Sequence, residues 1–260
     1  MRSALRDIAR IKERLAPGHA LFLDFDLTLS PLARDPHRAY LPKAAKALLE
    51  RIAGAVPVVI VTGRGLDDIK KRVGLRNVSY IGNHGLEHYL GGARGSSPVP
   101  ARVRAALASA RRRTERACSP YPRVVFEDKS PSFAVGYRLV AKGKAASLEA
   151  ALRDLKKEID RSDLLEARLD KKTFEVRPSL KIDKGTACRR ALRLIEAERG
   201  RRLVPVYIGD SETDEDAFKA LRKRGVTVRV GRSSDSAAEW HVRGRREVIA
   251  LLKRLPPFGV

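Results

Sequence analysis

Apolar positions along the chain follow two different rhythms. From the N-terminus to about Gly95, short apolar runs alternate with segments of helical spacing. The pattern predicts helices over Ser3–Leu15, Pro42–Ile52 and Leu66–Val73, and strands over Ala20–Phe25, Val56–Val61 and Val78–Ile81. Such alternation implies a parallel sheet with helices on both faces. Between about Val99 and Arg177 the rhythm changes. Helices are predicted over Ala101–Ala117 and Lys144–Ile159, with strands over Val124–Glu127, Phe133–Leu139, Leu165–Leu169 and Thr173–Val176. Paired strands with short connections point to an antiparallel sheet carrying two helices. The first rhythm then returns: helix Lys184–Glu198, strand Val204–Ile208, helix Glu212–Arg222, strand Val226–Val230 and a closing helix Glu247–Leu255. Gly91-Gly92, the run from Gly95 to Pro98, and Pro100 mark one junction, and Pro178-Ser179 the other. The expectation is an α/β core of residues 1–97 and 179–260, interrupted by an inserted α+β cap of residues 98–178.

Composition narrows this only slightly. At 260 residues and 43% hydrophobic content, the chain can bury a sizeable core. No stretch approaches the roughly 20 apolar residues a membrane span needs, and charged residues interrupt the first 16 positions. Cys118 and Cys188 form no metal or redox spacing. A cytoplasmic protein is expected. The formal charge of +23 passes a first screen for nucleic-acid binding. However, no aromatic RNA motif, zinc-finger spacing or basic zipper accompanies the basic clusters, which read as solvated helix faces. A positive surface also suits an anionic small-molecule substrate. Nucleic acid and membrane are not expected partners, and the oligomeric state is not legible.

Four segments change the picture because each follows a predicted strand or opens a helix. Asp24-Phe25-Asp26-Leu27-Thr28 ends the first apolar strand. Two acids at alternate positions project together, at the sheet edge where open α/β folds bind ligands. Gly209-Asp210-Ser211-Glu212-Thr213-Asp214-Glu215-Asp216 ends another strand with five acids in seven positions, a suitable set for a hard cation. An acidic first turn of the next helix would explain Glu215 and Asp216 but not Asp210. Thr62-Gly63-Arg64 offers a hydroxyl, backbone amides and a guanidinium to phosphate oxygens. Lys184 opens a helix, where the helix dipole disfavours a cation, so an anionic partner is expected.

Taken together and in order, these segments resemble the four motifs of the haloacid dehalogenase (HAD) superfamily of phosphotransferases. The resemblance implies a HAD-like Rossmannoid core and a phospho-aspartyl mechanism. Asp24 would be the nucleophile and Asp26 the general acid and base, while Thr62 and Lys184 would hold the phosphoryl group. Asp24, Asp26 through its backbone carbonyl, Asp210 and Asp214 would bind Mg2+. Across nearly the whole chain, the finer resemblance is to trehalose-6-phosphate phosphatases. It is carried by Gly82-Asn83-His84-Gly85-Leu86-Glu87, Glu127-Asp128-Lys129, Tyr137-Arg138, Phe174-Glu175-Val176-Arg177-Pro178 and Gly209 to Phe218. It implies that Glu127, Lys129, Arg138 and Glu175 grip sugar hydroxyls from the cap. Arg64, Asn83, His84 and Glu87 would line the core side. Two positions depart from that family's pattern: Ser211 replaces an aspartate and Gly136 a histidine. Related phosphatases acting on sucrose phosphate or mannosyl-3-phosphoglycerate form the alternative, with a nucleic-acid-binding protein more distant.

Overall fold

The computed structural model describes residues 1–31, 39–170 and 172–256. The chain begins with a two-residue strand, β1 (Arg2–Ser3), followed by α1 (Ile8–Leu15) and the fully buried β2 (His19–Asp24). Next come α2 (Lys43–Ala53), β3 (Val58–Val61), α3 (Leu66–Val73) and β4 (Ser79–Gly82). A single 3-10 turn, Asn83–Gly85, leads into β5 (Glu87–Leu90) and β6 (Ala93–Ser96). The middle segment holds α4 (Ala101–Cys118), β7 (Val125–Asp128), β8 (Phe133–Gly136), α5 (Lys142–Asp160), β9 (Leu165–Asp170) and β10 (Thr173–Pro178). The chain then forms α6 (Lys184–Arg199), β11 (Val204–Gly209), α7 (Asp214–Leu221), β12 (Val226–Val230), β13 (Trp240–Val242) and α8 (Arg245–Arg254).

Two compact units result: Met1–Ser96 with Ile182–Val260, and Ser97–Lys181. In the first, one sheet runs in the order β1-β13-β12-β11-β2-β3-β4-β5-β6. Pairing is parallel from β1 to β4, and only β5 and β6 run antiparallel. Alternate residues of the central strands serve opposite faces. Leu21, Leu23, Ile60 and Ile208 join one apolar cluster, while Phe22, Val59, Val61 and Tyr207 join the other. A strand covered on both sides reads as a continuous apolar run, which is why β2 and β3 were visible in the sequence. The chain builds outward from β2 in both directions, through β3 and β4 on one side and β11 and β12 on the other. Ligands in such sheets bind at the carboxyl ends of the strands flanking that reversal.

Three departures from expectation have local causes. The first helix begins at Ile8 rather than Ser3, because the amides of Arg2 and Ala4 bond carbonyls of Glu239 and His241. Gly91-Gly92 is not a junction but the turn of the β5–β6 hairpin, with both glycines at positive φ (55° and 81°) as a tight two-residue turn demands. The predicted strand Phe133–Leu139 ends at Gly136, where the chain turns toward α5.

The second unit is a four-stranded antiparallel sheet, order β7-β8-β10-β9, packed on α4 and α5. Its core includes Phe133, Val135, Phe174, Val176, Leu148 and Leu152. The register sets Ala134 opposite both Glu127 and Glu175, and Glu175 opposite Arg168. These four side chains therefore share the sheet face turned away from the apolar cluster.

Candidate active site

The carboxyl ends of β2 and β11 and the start of α6 converge on one charged group. Asp24 ends β2 and is almost wholly buried. Lys184, also buried, donates from Nζ to Asp24 Oδ1 at 2.8 Å and to Asp214 Oδ1 at 2.7 Å. Its position is set locally by a complete capping box. The Asp183 side chain accepts from the Thr186 amide, and the Thr186 hydroxyl returns the contact to Asp183. Asp214 accepts further from Tyr207 Oη at 2.6 Å, from the Ser211 amide at 2.8 Å and from Ser211 Oγ at 2.7 Å. Carboxylate oxygens of Asp24, Asp210 and Asp214 lie within 4.8 Å of one another.

Glycine at two positions permits this closeness. A Cβ at Gly209 would come within 2.6 Å of Asp214 Oδ2, so only a bare backbone lets Asp214 fold against the end of β11. At Gly185, a Cβ would press on the Asp216 carbonyl oxygen and stand 2.8 Å from the Ala220 Cβ. Hence α6 and α7 approach closely enough for Lys184 to reach Asp214.

The electrostatics are those of a crowded buried site. Burial pushes the Asp24 carboxyl well above its ordinary range; Lys184 opposes this, and Asp214 and Asp210 add to it. Burial alone would lower Lys184, but the Asp214 and Asp24 carboxylates raise it, so it stays protonated. Asp214 would also be raised by burial, yet Lys184 and its other donors hold it below the usual value. With Asp24, Asp210 and Asp214 all ionised, three carboxylates would stand against one ammonium, an excess of two negative charges. All-oxygen donors carrying that excess fit a hard divalent cation. Asp24 and Asp210 are the better candidates to ligate it, because four donors already engage the oxygens of Asp214.

Other residues singled out in the sequence fall into place unevenly. Arg64 donates from Nε and Nη2 to both oxygens of Asp26, each at 2.7 Å, and from Nη1 to Asp68 at 3.1 Å. Its guanidinium is raised further, its two carboxylate partners outweighing burial. Thr62 is buried, its Oγ1 accepting from the Arg64 amide at 3.2 Å and its own amide bonding Ile81. Asn83 and His84 occupy left-handed backbone, and their amides bond the carbonyls of Arg64 and Thr62. Glu87 accepts the Leu66 amide at 3.1 Å, closing the first turn of α3, with Arg94 at 3.4 Å from its other oxygen. In the second unit, Lys129 donates to Glu175 at 2.7 Å on the face that also carries Glu127. Arg138 is not among them on a strand: it is exposed, beyond the end of β8.

Sequence reasoning did not identify Tyr207 as part of the site. The signal was available, since a tyrosine inside a buried strand needs a partner for its hydroxyl. Ser211, noted only as a lost carboxylate, orients Asp214 through two hydrogen bonds.

Fold and site together define a protein of the haloacid dehalogenase type, a parallel α/β unit with an α+β insertion and an acidic site at the strand ends. Structures alike in fold include the C-terminal domain of the Candida albicans trehalose-6-phosphate phosphatase (TM-score 0.82, 21% identity, 97% of each chain covered). A second, described as a trehalose-6-phosphate phosphatase related protein, aligns with a TM-score of 0.70 at 24% identity, covering 90% of this chain and 95% of its own. The family model described as Trehalose-phosphatase matches residues 22–248, and the chain belongs to that family. The trehalose-phosphate phosphatase of Mycobacterium avium is 36% identical over 85% of this chain and 57% of its own length. That of Mycobacterium marinum is 33% identical, over 89% and 59%. The chain thus spans little more than half the length of these curated relatives. Among the described residues, no helix is long and apolar enough to cross a membrane.

Proposed function

We propose that this chain hydrolyses trehalose 6-phosphate to trehalose and phosphate, with Mg2+ as its metal. The observation that carries the reading is the buried Asp24 at the end of β2, held by Lys184 beside Asp210 and Asp214. Lys184 holds Oδ1, which leaves Oδ2 as the attacking atom. A bond forms from that oxygen to phosphorus as the bond from phosphorus to the sugar oxygen breaks. Asp26, released from Arg64 at one oxygen and protonated there from solvent, gives that proton to the departing oxygen, so the sugar leaves as a neutral alcohol. Water then attacks phosphorus, Asp26 takes its proton, and Asp24 is regenerated with release of phosphate.

Asp24 and Asp210 would hold the metal, with the Asp26 backbone carbonyl and Asp214 supporting it. When bound it supplies the positive charge that keeps Asp24 ionised and offsets repulsion between carboxylate and phosphate. Lys184 also neutralises charge on the transferring group, and Thr62 supplies a hydroxyl beside it. Arg64, Asn83, His84 and Glu87 are assigned to the core side of the substrate site, and Arg64 also orients Asp26. Glu127, Lys129, Glu175 and Arg138 are assigned to the sugar. The paired Lys129 and Glu175 support this, since ionic side chains fixed in advance bind hydroxyls at less entropic cost.

Asp24→Asn tests the reading. The amide is a poor nucleophile, so phosphate release from trehalose 6-phosphate should vanish while the melting transition persists. Substantial turnover in the variant, or wild-type turnover no faster on trehalose 6-phosphate than on glucose 6-phosphate, would overturn it.

A further inference from the structure

Arg64 turns its three guanidinium nitrogens to two carboxylates and divides them unevenly. Nε and Nη2 face both oxygens of Asp26, each at 2.7 Å, whereas Nη1 reaches Asp68 Oδ2 at 3.1 Å. Asp68 lies in the first turn of α3, four residues beyond Arg64. The same Oδ2 accepts from Arg72 Nε at 2.7 Å, and Arg72 Nη1 donates to the Ala39 carbonyl at 2.6 Å. Burial would raise Asp68, but Arg72 and Arg64 hold it below its ordinary value, so it stays ionised. Asp26, Arg64, Asp68 and Arg72 thus form an alternating row that ends on a backbone carbonyl. Along it, side-chain exposure falls from 44% at Asp26 to 9% at Arg64.

The stability of α3 does not call for the Arg64 end of this row. Arg72, four residues on from Asp68 along the same helix, already balances the Asp68 charge. An acid in the first turn also suits the helix dipole without any partner. What the contact with Asp68 adds is a restraint on Arg64. In the phosphatase reading, Asp26 must give up one of its two bonds to Arg64 in order to take a proton. A guanidinium held by Asp26 alone would follow that movement. One fixed at Nη1, with its Cζ 5.7 Å from the centre of the Phe25 ring, stays in place.

We propose that Asp68 is a positioning residue for the proton transfer: it anchors Arg64 at Nη1, so that Asp26 can part from one nitrogen, serve the leaving oxygen and return to the same partner. Asp68 touches neither substrate nor metal in this scheme and acts only through Arg64. The proposal rests on the phosphatase reading.

The dependence of kcat/KM on the leaving group tests it, measured on nitrophenyl phosphate, phenyl phosphate, an alkyl phosphate and trehalose 6-phosphate. Nitrophenolate departs without a proton and an alkoxide does not, so only the poor leaving groups report on Asp26. Asp68→Asn keeps the size of the side chain and removes its charge. It should lower the rate on the alkyl and sugar phosphates by about tenfold and on nitrophenyl phosphate by less than about twofold. The retained nitrophenyl phosphate rate shows that the variant is folded. In an Arg64→Ala background the same change should cost nothing further, because the group through which Asp68 acts is gone. An equal loss on every ester, no loss on any, or the full loss repeated in the Arg64→Ala background would overturn the proposal and leave the phosphatase reading intact. A wild-type chain that releases phosphate from none of these esters would overturn both.

Discussion

Gly185→Ala separates the site's geometry from its stability. The added methyl would stand 2.8 Å from the Ala220 Cβ and press on the Asp216 carbonyl. Unstrained carbon contacts lie near 3.5–4.0 Å, so α6 and α7 must part by roughly 0.7–1.2 Å. Lys184 and Asp214 lie on those two helices, and their hydrogen bond is 2.7 Å. The same displacement stretches it to about 3.5 Å or more, outside useful range. Overpacking of this kind costs about 1–3 kcal/mol, while replacing a helical glycine by alanine returns about 1 kcal/mol. Net destabilisation should therefore be modest, about 0–2 kcal/mol. Turnover should suffer far more, by about 100-fold, because an ångström of misplacement in a charged site costs that much. Urea denaturation and phosphate release from an aryl phosphate read the two effects. Gly143→Ala is the control: it too is helical, but a Cβ there meets nothing within 4 Å, so it should only stabilise. If Gly185→Ala stabilises as the control does and retains turnover, the close approach of α6 and α7 does not position Lys184.

Three shorter predictions follow from the same contacts. Arg64→Ala removes the bidentate partner of Asp26, so hydrolysis of a sugar phosphate should fall by about 10–100-fold; an aryl phosphate, whose leaving group needs no proton, should lose much less, and equal losses would refute the assignment. Ser211→Ala deletes one donor to the buried Asp214 and should cost about 1–3 kcal/mol in urea denaturation, whereas no change would deny Ser211 its orienting part. Burial lowers His19 to about 4 from 6.5, so between those values the unfolded chain binds the extra proton and stability falls as pH is lowered through that window. The full effect approaches about 3 kcal/mol, and His19→Phe should flatten the profile between pH 7 and 4.5; an unchanged slope would place the acid sensitivity elsewhere.

The legibility of this chain follows from where each signal resides. β2, β3 and β11 carry uninterrupted apolar runs because both faces of the sheet are covered, so they stand out without any context. Strands β1 and β13 are two and three residues long, and their pairing depends on chain ends distant in sequence. Nothing local marks them. The β5–β6 hairpin was hidden because its glycine pair serves equally well as a linker or as a turn. Within the site, Asp24, Asp210 and Lys184 were legible from their strand-end and helix-start positions. The partners that fix them were not. That Arg64 holds Asp26, or that Glu87 closes α3, depends on side chains meeting across neighbouring strand ends, and sequence spacing does not record such meetings.

Charge is distributed on two scales that oppose each other. The chain as a whole carries +23, whereas the group around Asp24, with its three acids ionised, would carry an excess of two negative charges. A phosphate dianion is therefore attracted from a distance and repelled at contact. The distant term is screened over roughly 8–10 Å in physiological salt, so it gathers anions at the surface without deciding the chemistry. The contact term is buried and scarcely screened, and Lys184 alone cannot reverse it, since its ammonium is already shared between two carboxylates. A divalent cation would bring the group to neutrality. The acidic cluster thus has the composition to hold a divalent cation, and the four donors around Asp214 fix that carboxylate in place.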